Sequence, residues 1–130
     1  ESVLDEMGQT ILAENRKRLN DLGIDLSQVE PRQLGVLLDA TGRFRLKDKD
    51  LLLLGEYAHA TVTQLALATE LLQMGLTHDK ARYFLTSQLD LETLRPMVFA
   101  FLQDTLTLDE AITFEKQKLK EPDLSFREWQ

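Results

Sequence analysis

The chain has 130 residues, with 15 Lys and Arg against 22 Asp and Glu, three prolines and no cysteine. A single domain of this size can bury roughly two-thirds of its unfolded surface without a covalent staple, and the lack of cysteine excludes disulfides, thiolate nucleophiles and sulfur metal ligands together. The formal net charge of -7 disfavours a polyanion as the main partner, because phosphate neutralisation needs a basic surface.

The charge is unevenly spread. Residues 1–49 hold 8 basic and 9 acidic groups, residues 50–130 hold 7 and 13, so an anion-facing surface is expected in the first part. The longest apolar run, "PMVFAFL" at 96–102, falls short of the roughly 20 residues that span a bilayer. A cytosolic setting is the default expectation. The chain starts at Glu1 rather than at a methionine, which leaves room for a removed leader or a longer polypeptide.

Abundant Leu and turn residues placed between periodic apolar segments predict a mainly helical chain. The first helix is expected over about Val3 to Leu22, capped by Ser2, with Leu4, Met7, Ile11, Leu19 and Leu22 on one face and Gly23 as its stop. Arg16 to Arg18 then lie near the negative end of its dipole. Pro31 opens a short helix through "QLGVLLDA" that Gly42 closes. In "RFRLKDK" the cations Arg43, Arg45, Lys47 and Lys49 alternate with Phe44, Leu46 and Asp48, a period of two that predicts a short extended segment over 43–47.

Asp48 or Asp50 starts the next helical stretch, which runs to a stop at Gly75 as one helix bent near Gly55 or as two broken around "TVT". Thr77 caps a helix through Gln88. Pro96 is acceptable in a first turn, which places the following helix start near Thr93. Thr107 and Glu110 form a capping-box pattern for a last long helix to about Lys120.

Residues 70–89, "ELLQMGLTHDKARYFLTSQL", align without a gap with 100–119, "AFLQDTLTLDEAITFEKQKL", and eight of the twenty pairs are identical. Composition alone would give roughly two, and a fixed period of this kind marks a repeated supersecondary unit. In each copy a Leu packs ahead of the capping Thr, an Asp lies in the first turn, and Ala and Phe three apart enter the core. A fainter third copy places Leu46, Leu51 and Leu54 where Leu76, Ala81 and Phe84 stand, with Lys47 replacing the Thr. Good helix starts resemble one another, so the bland explanation stands beside the repeat.

Catalytic and metal-binding chemistry finds little support. Glu56 and His59 make half of a Glu-x-x-His pair, but Gly75 stands three residues before His78, so the second half is missing; a lone His on a helix is more often packed or solvated than ligating. "DATGRFRLKDKD" has the length of a calcium loop, yet Arg43 and Arg45 occupy liganding places. Gly-rich phosphate loops, nucleophile elbows and zinc spacings are absent, and Asp109 with Glu110 is explained by helix-start electrostatics. No enzyme activity, metal or cofactor is expected.

Two resemblances bear on function. "GRFRLKDKDLLLL" with "LATELLQMGLTHDKARYFL" resembles the wing and following helices of MerR-type transcription regulators over about residues 42–85, which implies DNA contact by the basic segment. The Arg-Tyr-Tyr recognition-helix signature of that family is missing upstream, so none of its DNA-reading residues carries over. "LLQMGLTHDKARYFLTSQ" and "FLQDTLTLDEAITFEKQ" are similar to the helical N-terminal modules of bacterial secretion and pilus ATPases over about fifty residues, which implies a regulatory or docking module.

After Pro122, Leu124, Phe126 and Trp129 either pack back and hold the terminus or present an aromatic anchor to a partner. Packing back is the favoured reading. The resulting expectation is an all-α bundle of about six helices with a helix-turn-helix unit of period 30, as one helical domain over 1–120 and a C-terminal tail over 121–130. Its function is expected to be non-catalytic binding of a protein partner, or of a second copy as a homodimer, through helical faces, in a bacterial and cytoplasmic style. Arg43, Arg45, Lys47, Lys49, Phe126 and Trp129 are the expected partner-binding residues. A DNA-binding regulator with a wing-like segment at 43–49 is the alternative.

Overall fold

The computed structural model describes residues 3–130, with side chains from Leu12 onward. The expected Ser2 cap and the side chains of Leu4, Met7 and Ile11 lie outside the described residues. Within them the chain is all-helical: α1 (Val3–Asp21), a 3-10 turn (Leu26–Gln28), α2 (Pro31–Thr41), α3 (Asp48–Glu56), α4 (Val62–Gln73), α5 (His78–Thr86), α6 (Leu91–Leu102), α7 (Leu108–Lys120) and a four-residue α8 (Phe126–Trp129).

That makes eight α-helices where about six were expected. The stretch from 48 to 75 divides in two: α3 runs through Gly55 and stops at Glu56, and Thr61 then caps α4 with a full capping box closed by Gln64. The C-terminal tail adds a further helical turn, capped by Ser125.

Helix ends follow from local chemistry. At the end of α4, Gly75 takes φ +93°, its N–H donates to the Leu72 carbonyl, and the Leu76 N–H donates to that of Leu71, the paired closure that a left-handed residue allows. Gly23 ends α1 in the same way. The end of α6 uses Asp104 at φ 57°, with Thr105 donating to the Ala100 carbonyl.

Three expectations are corrected by the backbone. No strand occurs among the described residues, and the segment 43–47 is not extended. Arg45 has φ 49°, and Phe44 and Leu46 donate to the carbonyls of Asp39 and Ala40, so the alternating pattern describes a turn that folds onto the end of α2. Helix α6 starts at Leu91, two residues before Thr93, because Asp90 accepts from the Thr93 N–H at 2.9 Å and caps it. Pro96 therefore sits inside α6, one turn later than expected, on an exposed face where water can solvate the carbonyl it leaves without a donor. The Asp90 carboxyl is held below its usual range by the hydrogen bonds from Thr93. Thr77 stands at the start of α5 but makes no side-chain capping bond.

The core is continuous through the chain. Leu19, Leu37, Leu51, Leu54, Leu65, Phe84, Phe101 and Phe114 are fully or almost fully buried. Helix α1 packs on α2, α2 on α3 and α4, and α4 on α5, while α5 also meets α3 and α7. Gly55 allows the end of α3 to close on the α1–α2 linker, since a Cβ there would lie 2.7 Å from Cγ1 of Ile24.

Two threonines at equivalent helix starts make a direct test of the caps. Thr107 accepts from the Glu110 N–H while the Glu110 carboxylate accepts from the Thr107 N–H, and those bonds hold the Glu110 carboxyl below its usual range. Thr107→Ala is expected to cost about 1 kcal/mol. Thr77→Ala, which removes no such bond, should cost a few tenths, on the order of a surface substitution. Urea unfolding of the two variants measures the difference, and equal losses would refute the assignment of the caps.

Candidate functional sites

The basic stretch spans the loop between α2 and α3 and the first turn of α3, where Lys49 stands. Arg43, Arg45, Lys47 and Lys49 are all exposed, while Leu46 between them is buried and anchors the loop in the core. The Arg43 guanidinium lies over the Phe44 ring, 5.2 Å from its centroid, which holds it flat against the surface. None of the four cations forms an ion pair among the described residues.

Arg18 fixes this loop to α1. Its Nη2 donates to the Leu46 carbonyl at 2.9 Å and to Asp48 Oδ1 at 2.8 Å. The two basic stretches of the first 49 residues, Arg16 to Arg18 and Arg43 to Lys49, are therefore adjacent in space. The acidic residue within the stretch, Asp48 at the start of α3, is the one that Arg18 engages.

Similar polar ties join the other helix starts. His78 Nε2 lies 2.6 Å from Asp50 Oδ1, linking the first turn of α5 to that of α3. Lys80 reaches Asp104 at 3.3 Å, linking α5 to the α6–α7 turn, and lies over the Phe101 ring. Of the two acidic partners, Asp50 lies in the first turn of α3, where the helix dipole favours a carboxylate, while Asp104 lies in the turn after α6.

The C-terminal aromatics lie elsewhere. Phe126 is buried, with its ring 5.2 Å from that of Phe114 on α7. Trp129 is half-buried, 5.4 Å from Phe114, and its Nε1 donates to Gln117 Oε1 at 3.1 Å. Phe126 thus occupies the core, while Trp129 keeps an accessible edge. These aromatics and the basic loop have different neighbours: α8 packs on α6 and on Phe114 of α7, while the loop folds onto the end of α2 and is tied to α1.

His59 is exposed beside Tyr57. It lines a 440 Å³ cleft with Asp25 and Glu56, next to Gly55 and Ile24. Among the described residues no group of three or more His, Asp or Glu side chains has the geometry to hold a metal ion. No described helix is long and apolar enough to cross a membrane.

A second cleft, of 400 Å³, runs between α5 and α7, with Tyr57 also lining it. Within it the Tyr83 hydroxyl donates to Glu115 Oε1 at 3.0 Å, and the Ser87 hydroxyl donates to the same oxygen. Ser87 is itself held, its Oγ accepting from the Leu89 N–H and its carbonyl from Gln64 Nε2. Burial, and then the adjacent Glu115 carboxylate, push the Tyr83 phenol above its ordinary pKa, so it remains a donor at neutral pH.

Sequence reasoning missed this cluster although a signal was present. Glu115 stands where the aligned earlier segment has Leu85, and Tyr83 where the later one has Thr113. Both are departures from the shared pattern.

No protein-family model matches the chain, and no match was found among curated proteins or solved structures.

Proposed function

We propose that the chain is a non-catalytic interaction module that binds an acidic protein surface through the loop Arg43, Arg45, Lys47 and Lys49. The observation that carries this reading is that four exposed cations, with no anionic partner among the described residues, follow one another over the turn after α2 and the first turn of α3, where Arg18 of α1 ties the turn down. Charges placed in this way steer encounter and set register rather than supply most of the affinity. Trp129, exposed along one edge, is a second contact point; Phe126 supports it from the core side. The proposed compartment is the cytosol, in a bacterial setting, with a second copy of the chain as the other candidate partner.

The scaffold is read as three helix-turn-helix units, α2 with α3, α4 with α5, and α6 with α7. Support comes from the spacing of the second-helix caps, Lys47, Thr77 and Thr107, and from the buried Leu that precedes each of them, Leu46, Leu76 and Leu106. Stacked hairpins of this type present extended faces suited to partner binding.

Replacing Arg43 and Arg45 together with Ala is expected to weaken partner binding about tenfold or more while circular dichroism stays unchanged, each exposed charge contributing chiefly through association rate. Unchanged affinity would remove the loop as a site. A nucleic-acid partner is the second reading of the same four cations. It requires an affinity that falls steeply with salt, with a slope set by the number of phosphates neutralised, and survival of the interaction in the absence of any protein partner.

A further inference from the structure

We propose that the cleft between α5 and α7 is a binding site for a primary alkylammonium group, with Glu115 as the recognising carboxylate. The site lies at the opposite end of α3 from the basic loop and is independent of it. One carboxylate oxygen, Oε1, is occupied by the hydroxyls of Tyr83 and Ser87, which are both more than nine-tenths buried. The other, Oε2, has no hydrogen bond to any described residue and is not buried. Two donors, one on α5 and one at its C-cap, thus fix the carboxylate of α7 and leave one oxygen free to accept from a ligand.

The rest of the cleft matches a cation on an apolar stem. Leu108 and Ile112 stand on the same stripe of α7 as Glu115, and Ile112 is 43% exposed. Tyr57 adds an aromatic ring to the lining. At the rim Arg82 is paired with Asp79 at 3.5 Å, so those two charges offset each other and Glu115 leaves the cleft with a net negative charge. An anionic ligand would face that carboxylate. A neutral one would leave Oε2 without a charged donor. An ammonium satisfies it, while its methylene chain covers Ile112 and Leu108.

If Glu115 were only a tether between α5 and α7, the cleft would take no ligand. The test is two-dimensional ¹H–¹⁵N NMR titration with n-pentylamine, Nα-acetyl-lysine methylamide and, as the neutral control, 1-pentanol. The expected result is saturable shifts confined to Ser87, Ile112, Glu115 and their neighbours with both ammonium probes, and none with pentanol. Tighter binding of the free amine points to a small-molecule amine as the natural ligand, and tighter binding of the lysine derivative to a lysine side chain of a partner.

Glu115→Gln keeps an oxygen that can accept from Tyr83 and Ser87 and removes the charge. It should leave the spectrum folded and weaken both ammonium probes about tenfold or more, the equivalent of one charge-assisted hydrogen bond. Ile112→Ala, at an exposed position, should weaken the same probes without affecting the fold. Equal binding by Glu115→Gln, or shifts spread over acidic residues across the surface, would overturn the proposal.

Discussion

Replacing Phe84 with Ala is expected to remove about 3–5 kcal/mol of folding stability, a large share of the ~5–15 kcal/mol that holds a domain of this kind together. Phe84 is completely buried, and its ring meets Tyr83 and Phe101 edge to face at 5.6 and 5.4 Å, while those two rings lie 5.9 Å apart. Three aromatic rings in mutual contact join α5 to α6. Aromatic pairs at such angles contribute beyond the area they bury, and three interlocked rings leave little room for neighbours to relax into the space an Ala would create.

Phe84→Leu, which fills much of that volume, should cost distinctly less than Phe84→Ala. Equilibrium urea unfolding provides the measurement, with m-values compared to ensure that the same transition is followed. A loss below about 1 kcal/mol for the Ala variant would be that of an ordinary surface site, and the placement of α5 against α6 would then be wrong. Because Tyr83 belongs to the same cluster and also donates to Glu115, Phe84→Ala should loosen the α5–α7 cleft as well, although it touches no cleft residue polar group.

Helix identity was legible in the sequence wherever a capping residue and an apolar period coincided. Thr107 with Glu110, Pro31 and the stops at Gly23 and Gly75 all signal through their own backbone chemistry, and each appears in its expected role. Errors arose where two local signals competed. Pro96 suggested a start at Thr93, but an Asp at 90 offers the better cap, and a helix can absorb an exposed proline. The alternation of Arg43 to Lys49 predicts an extended segment over 43–47, although Leu46 is the sole buried residue in it; one inward side chain is an anchor, whereas a strand face needs several.

The contacts of the candidate sites were less legible because they are set by packing between helices. Arg18 and Asp48 are thirty residues apart, Tyr83 and Glu115 thirty-two. Residues shared between the aligned segments report the core, since Ala81, Ala111, Phe84 and Phe114 are all completely buried. Tyr83 and Glu115 stand at positions where those segments differ.

Phe114→Ala is expected to be comparably damaging, at about 3–5 kcal/mol, and to have a second consequence that Phe84→Ala lacks. Phe114 is completely buried and contacts both Phe126 and Trp129, so it is the main apolar contact by which α7 retains the C-terminal tail, beside the hydrogen bond from Trp129 to Gln117. Trp129 is the only tryptophan in the chain, and its fluorescence therefore reports the tail alone. Phe114→Ala should shift its emission to the red under conditions where the remainder is still folded. Phe126→Ala should do the same. As the two rings touch, the double variant should be less destabilised than the sum of the singles by about 0.5–3 kcal/mol. The alternative expectation, with Phe126 as an exposed partner anchor, requires a tail that is detached in solution. In that case Phe126→Ala would leave stability, Trp129 emission and coupling to Phe114 all unchanged, and would instead weaken partner binding. The two roles make opposite demands on one side chain, because a ring that fills the space beside Phe114 can reach a partner only by first leaving a cavity there.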